Sequence, residues 1–119
     1  MPATTDPVEF FRALADPTRL RCLALIVAEG DVCVCELTYA IDEIQPKISR
    51  HLAALRKAGL VEDRRQGTWV FYRLRPDLAP WARDALFRAC DGFADSEPFR
   101  SDREALRAMP GRPPRSSVA

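Results

Sequence analysis

Apolar residues along this chain recur first at helical spacing and then, for one short stretch, at alternate positions. Asp6-Pro7 and Asp16-Pro17 each set a carboxylate before a proline, the pairing of an N-cap with a first helical residue. Phe10, Phe11 and Leu14 follow the first and predict a short amphipathic helix. Leu20, Leu23, Ala24 and Val27 follow the second, and Gly30 ends that run. A third, short helix is expected over about Val34 to Ala40, with Leu37, Ala40 and Ile41 as its apolar edge. Gln45-Pro46 opens a fourth helix and Gly59 stops it, with Ile48, Leu52 and Leu55 at i, i+4 and i+7 forming a narrow buried stripe.

The period changes between Leu60 and Leu74. Val70, Tyr72 and Leu74 alternate with Trp69, Phe71 and Arg73, and Gln66-Gly67 lies midway, which predicts a β-hairpin with Arg64 and Arg65 at its tip. A last helix is expected from Asp77 to Gly92, with Leu78, Trp81, Ala85, Leu86 and Ala89 along one stripe. Residues 93–119 are polar, rich in Pro and Arg and weakly periodic. They are expected to be a mostly disordered tail with at most one helical turn near Glu104 to Met109. Residues 1–92 are then one domain, mainly α with a β-hairpin wing, in the order of a winged helix-turn-helix.

Composition narrows the class. At 119 residues and 47% hydrophobic the chain supports one core, small enough to gain from an interface. No apolar run approaches the ~20 residues of a membrane span, and MPATTDPVEF has no signal-peptide pattern, so a soluble cytoplasmic protein with no membrane partner is expected. In a reducing compartment its four cysteines favour ligand binding over disulfides.

Net charge is +1, but its distribution is uneven. Residues 1–44 carry three Arg against eight acidic residues. Residues 45–75 carry eight Lys or Arg against two, and 76–119 are balanced at seven each. A compact basic block inside an otherwise acidic chain is the footprint of a polyphosphate partner. At ~100° per residue, Arg50, Ala54 and Lys57 of the fourth helix point away from its apolar stripe, flanked by Lys47, Ser49 and Ala53. That face is cationic with small residues between, and suits a close approach to double-stranded DNA.

Cys33-Val34-Cys35 is the second candidate. Two thiols separated by one residue converge on one soft centre if the backbone there begins a helix, and a helix N-terminus favours the thiolate. The alternative is two small buried hydrophobes. An enzyme is not expected: Cys-x-x-Cys is absent and the one histidine, His51, lies on the basic helix.

LADPTRLRCLALI, DVCVCEL, QPKISRHLAALRKAGLV and RRQGTWVFYRL, in this order and spacing, resemble the ArsR/SmtB family of bacterial metal- and metalloid-sensing repressors, over about residues 7–92. The resemblance implies a homodimer that binds an inverted-repeat operator and leaves it when an inducer binds. It implies operator contacts from Gln45, Lys47, Ser49 and Arg50, with His51 toward the flank of the helix, and wing contacts from Arg64 and Arg65. It implies Cys33 and Cys35 as ligands of a trivalent arsenic or antimony inducer such as arsenite, methylarsenite or antimonite, with no permanent cofactor.

The chain departs from the arsenite-responsive pattern at Thr38, where those repressors carry a third cysteine. Either two thiols suffice, which favours organoarsenicals, or a third comes from Cys22 or Cys90. Other relatives sense redox state or persulfide through cysteines on the second and last helices, a layout that Cys22 and Cys90 roughly copy. Zinc-type sites on the last helix need histidines, whereas this one offers Asp77, Asp84 and Asp91.

Overall fold

The computed structural model describes residues 6–115. Both Asp-Pro signals act as expected. Asp6 accepts the Glu9 N–H (3.1 Å) at the start of α1 (Pro7–Leu14), and Asp16 accepts the Arg19 N–H (3.0 Å) at the start of α2 (Pro17–Glu29). Gly30, at φ +84°, closes α2 in a conformation that L side chains rarely adopt. The chain then passes through β1 (Val32–Cys33), α3 (Val34–Ile41) and α4 (Gln45–Lys57) into the hairpin of β2 (Val61–Gln66) and β3 (Trp69–Leu74). α5 (Pro80–Phe93) and α6 (Phe99–Arg107) follow.

The core gathers Leu23, Leu25 and Ile26 of α2, Leu37 of α3, and Ile48, Leu52 and Leu55 of α4, all nearly or fully buried. At roughly 1.5–3 kcal/mol per large side chain, this stripe-on-stripe packing is what fixes α4 beside α3. The buried stripe of α4 is the one its sequence predicts. Among the described residues no helix is long and apolar enough to cross a membrane.

The sheet has the order β1-β3-β2, all antiparallel. β1 pairs Val32 with Tyr72 and Cys33 with Phe71. A two-residue strand carries no readable alternation, so the sequence pattern predicts the hairpin but not its third strand. Gly67 and Thr68 form the turn, and Gly67 supplies the positive φ (+61°) that such a short connection needs. Arg64 and Arg65 therefore do not sit at the tip: they pair with Phe71 and Val70, within the strand.

α5 begins at Pro80 rather than Asp77, because Asp77 is held in a fork by Arg75 (2.9 Å to each carboxylate oxygen) just before the helix. Its buried face is Ala82, Leu86 and Cys90. Trp81, expected inside, is 41% exposed, and with Phe11 and Phe87 it leaves aromatic surface on α1 and α5.

Over the described residues 93–115 the chain corrects the expectation of a mostly disordered tail, and the last four residues of that expectation lie outside the described residues. α6 is a helix of nine residues docked on α2 and α3, and Leu106 is fully buried. Phe99 stacks on Phe93 of α5, with ring centroids 4.3 Å apart. The inward face of α6 includes a charge, Asp102, which a hydrophobicity pattern assigns to solvent. Arg21 neutralises it with two bonds, Nε to Oδ2 at 2.8 Å and Nη2 to Oδ1 at 2.7 Å. Helix, tight turn, basic helix and hairpin together make a winged helix-turn-helix.

Candidate nucleic-acid interface and thiol site

α4 presents Gln45, Ser49 and Arg50 to solvent, as its stripe requires. Lys47 is half-buried and its ammonium pairs with Glu43 at 2.9 Å, one helical turn earlier in the chain. Among the described residues Arg50 has no ion-pair partner. These four side chains lie on the outer side of one helix, where backbone and base edges of a duplex can be met together.

His51 does not share that face. It is 8% exposed, and its Nε2 lies 3.7 Å from Oδ2 of Asp16, the N-cap of α2. Burial pushes the imidazole below its ordinary value, the Asp16 carboxylate pulling upward without overcoming it, and the Arg19, Arg50 and Lys47 cations push the same way as burial. His51 thus sits between α4 and α2 rather than on the outer face of the helix.

The two wing arginines also divide. Arg64 donates to Asp31 (2.5 Å) and Gln66 (2.9 Å), and its guanidinium lies 4.9 Å from the Phe71 ring centroid. Those contacts tie β2 to the α2–β1 turn. Arg65 is exposed, without an ion-pair partner among the described residues, and it is the wing cation open to phosphate.

The thiol site lies between these elements. Cys33 ends β1 and is the N-cap of α3, while Cys35 is the second residue of that helix. A helix start is the backbone that lets residues two apart face each other, and the sulfurs are 3.1 Å apart. Cys33 is 2% exposed and Cys35 is half-buried. They open on a cavity of about 210 Å³ lined also by Val34, Thr38, Gln45, Thr68, Trp69 and Val70. The N-terminus of the basic helix and the turn end of the wing are therefore walls of the thiol cavity.

The helix start does not make Cys35 a ready thiolate. Its thiol is pushed up to about 12, first by burial, then by the hydrogen bond and charge of Cys33, then by Glu36. Thr38, at the position of the missing third cysteine, lines the same cavity, and its hydroxyl donates to the Cys35 carbonyl at 2.8 Å.

Cys22 and Cys90 are elsewhere. Cys22 is wholly inside the core and burial pushes its thiol up to about 12. Cys90, pushed up to about 11 by burial, lines a separate cavity between α2, α5 and α6. Neither lines the Cys33–Cys35 cavity, so a third thiol from either is not placed there.

Sequence reasoning missed Glu36. It is fully buried, and its carboxylate accepts the Cys33 N–H at 2.8 Å. It also accepts Arg112 Nε and Arg115 Nη2, each at 2.6 Å. Burial raises this group, but the Cys33 amide and the two guanidiniums outweigh it and hold the carboxyl below its ordinary range. The signal in the sequence was a glutamate three residues after an N-cap, the spacing of a capping box.

Residues 16–63 match the profile of the bacterial regulatory protein family arsR. The chain is 49% identical to the arsenic resistance transcriptional regulator ArsR1 of Pseudomonas putida over 116 residues, 97% of this chain and 87% of that one. The chain belongs to the ArsR family. It is also 44% identical to the arsenical resistance operon repressor of Escherichia coli, over 87% of this chain and 80% of that one. Among solved structures, the homodimeric winged helix-turn-helix DNA-binding domain of Mb0332 from Mycobacterium bovis superposes with a TM-score of 0.59 at 31% identity, covering 76% of this chain and 83% of that one. Relatives and fold are those of DNA-binding transcriptional regulators, not of enzymes.

Proposed function

We propose that this ArsR-family chain is a dimeric repressor of an arsenic-resistance operon, which holds an inverted-repeat operator until a trivalent arsenical or antimonial bridges Cys33 and Cys35. The observation that carries the reading is the pair of sulfurs 3.1 Å apart in a cavity whose other walls are Gln45 and the Thr68–Val70 stretch of the wing. Relatives named for arsenic resistance support the inducer class.

The chemistry suits protonated thiols. Each arsenic–hydroxyl bond exchanges for an arsenic–sulfur bond, and the hydroxyl leaves as water with the thiol proton. Two exchanges leave one position on arsenic, a hydroxyl for arsenite and a carbon for methylarsenite. A divalent cation instead needs both sulfurs ionised beforehand, against the burial that holds Cys35 protonated.

The sulfurs need little movement to share one atom, so bridging alone does not unwind the start of α3. The effect on DNA comes through the shared walls: the third substituent enters the cavity that Thr38, Gln45 of the basic helix and Trp69 of the wing line together, and filling it changes how helix and wing sit against each other. Two such helices in a dimer must meet successive major grooves about one DNA turn apart, so a small change in their setting weakens binding. A tenfold release requires only about 1.4 kcal/mol of preference for the released form. Exposed Val8, Phe11, Trp81 and Phe87 on α1 and α5 supply the apolar surface that a second copy covers.

The test is fluorescence anisotropy on an inverted-repeat duplex selected from a random pool by the wild-type protein, with arsenite, methylarsenite, antimonite and zinc titrated under reducing conditions. Release by the metalloids, lost in Cys33→Ser and Cys35→Ser variants that still bind the duplex, is expected. Normal release from the double variant rules the site out. Oxidant-driven release that ignores metalloids would move the sensing role to Cys22 and Cys90.

A further inference from the structure

Residues 108–115, which follow α6, fold back onto the domain. Arg112 bonds Glu36 and also Glu29 at the end of α2 (3.2 Å), Pro113 is buried, and the Pro114 carbonyl accepts from Gln66 Nε2 of the wing at 3.0 Å. Arg115 bonds Glu36, donates to the Asp31 carbonyl (3.0 Å), and lies 4.8 Å from the Phe71 ring centroid.

Cys33 has two supports. Its amide is held by Glu36, and across the sheet it pairs with Phe71. Arg115 touches both of them. A carboxylate with no exposure is tolerable only while its charge is paired, so the two arginines are a condition of Glu36 staying where it caps α3.

We propose that Glu36, Arg112 and Arg115 are positioning residues of the thiol site, a lock that fixes the first turn of α3 and the wing against each other and keeps the two sulfurs paired and shielded. Residues 112–115 thereby belong to the sensing machinery. The proposal rests on the Cys33–Cys35 reading for its consequence, whereas the lock itself is testable without any arsenical.

Two reagents separate positioning from general looseness. Iodoacetamide attacks one sulfur at a time and is hindered by shielding. Methylarsenite needs both sulfurs together and is helped by their pairing. In the full-length Arg112→Met/Arg115→Met variant, alkylation of Cys33 and Cys35, resolved by peptide mass spectrometry, is expected to rise at least tenfold while Cys22 and Cys90 keep their rates. Methylarsenite binding, titrated by intact mass, is expected to weaken at least fivefold. The two readouts move in opposite directions only if the sulfurs lose their pairing. Arg115→Met alone, which leaves Arg112 on Glu36, gives the same signs with smaller amplitude and serves if the double variant does not fold.

Unchanged labelling of Cys33 and Cys35 overturns the lock, and so does a rise shared equally by Cys22 and Cys90, which reports unfolding. If wild-type protein binds no methylarsenite, the metalloid-sensing function fails, and the alkylation arm still decides the lock.

Discussion

Arg21 and Asp102 meet in a two-bond fork across 81 residues of sequence, joining α2 to α6. Asp102 is 3% exposed and Arg21 half-buried, so this is an inner pair with one edge open to water. Removing one member of a buried pair leaves the other charge without compensation, a loss of ~3–5 kcal/mol at full burial. The open edge at Arg21 lowers that toward about 2 kcal/mol. Asp102→Ala is therefore expected to lower the urea midpoint clearly, while Arg21→Met/Asp102→Leu recovers most of the loss. A double variant as unstable as the sum of the singles would show that the pair is not the reason α6 docks.

The same pair explains what the sequence could and could not reveal. Helix caps, the α4 stripe and the alternation of the wing are local, each resting on residues within a few positions, and all are legible. α6 is not, because half of what it buries is a charge whose partner lies 81 residues away. β1 is too short to show a period, and its place is set by β3. In the site, Cys33 and Cys35 are visible as a spacing, while Glu36 looks like one more surface acid until Arg112 and Arg115 are brought to it. Motif position groups Arg64 and His51 with the outward cations, yet Arg64 is bonded to Asp31 and His51 is buried on α4 beside Asp16, the two carboxylates that flank α2.

His51 gives a pH dependence of known sign. Its folded pKa is lowered by burial, so below about pH 6.5 an unfolded chain takes up a proton that the folded chain resists. The stability contribution is fully present above the unfolded value and falls as pH drops through the window toward the lowered folded one. Thermal melts at pH 7.5 and 5.5 should differ more for wild type than for His51→Gln. A variant with an undiminished difference would place the acid sensitivity in other groups.

The two wing arginines should separate cleanly. Arg65→Ala removes an exposed cation and is expected to weaken duplex binding with a shallower salt dependence, by about one unit of slope, the share of a single neutralised phosphate. Arg64→Ala instead breaks the tie to Asp31 and Gln66, so its first effect is a lower melting temperature. Anisotropy at several salt concentrations, read beside melts of the same variants, checks both. An equal salt-slope change from each would mean that Arg64 leaves Asp31 to meet phosphate.

Thr38 is where the inducer's third position can be tested. It lines the thiol cavity, yet its hydroxyl is spent on the Cys35 carbonyl and offers no soft ligand. Arsenite bound by two sulfurs keeps a hydroxyl, whereas methylarsenite has a carbon there and gains nothing from another thiol. Thr38→Cys should lower the arsenite concentration for half-release at least tenfold, about 1.4 kcal/mol. Methylarsenite should change by less than twofold. The local cost is one helix-internal hydrogen bond, so duplex affinity without inducer should hold. Equal gains for both inducers would mean that the substituent does not point toward position 38. No gain for arsenite would mean that a third ligand already completes the wild-type site, and the two-thiol reading would have to give way to one with a donor from outside the cavity.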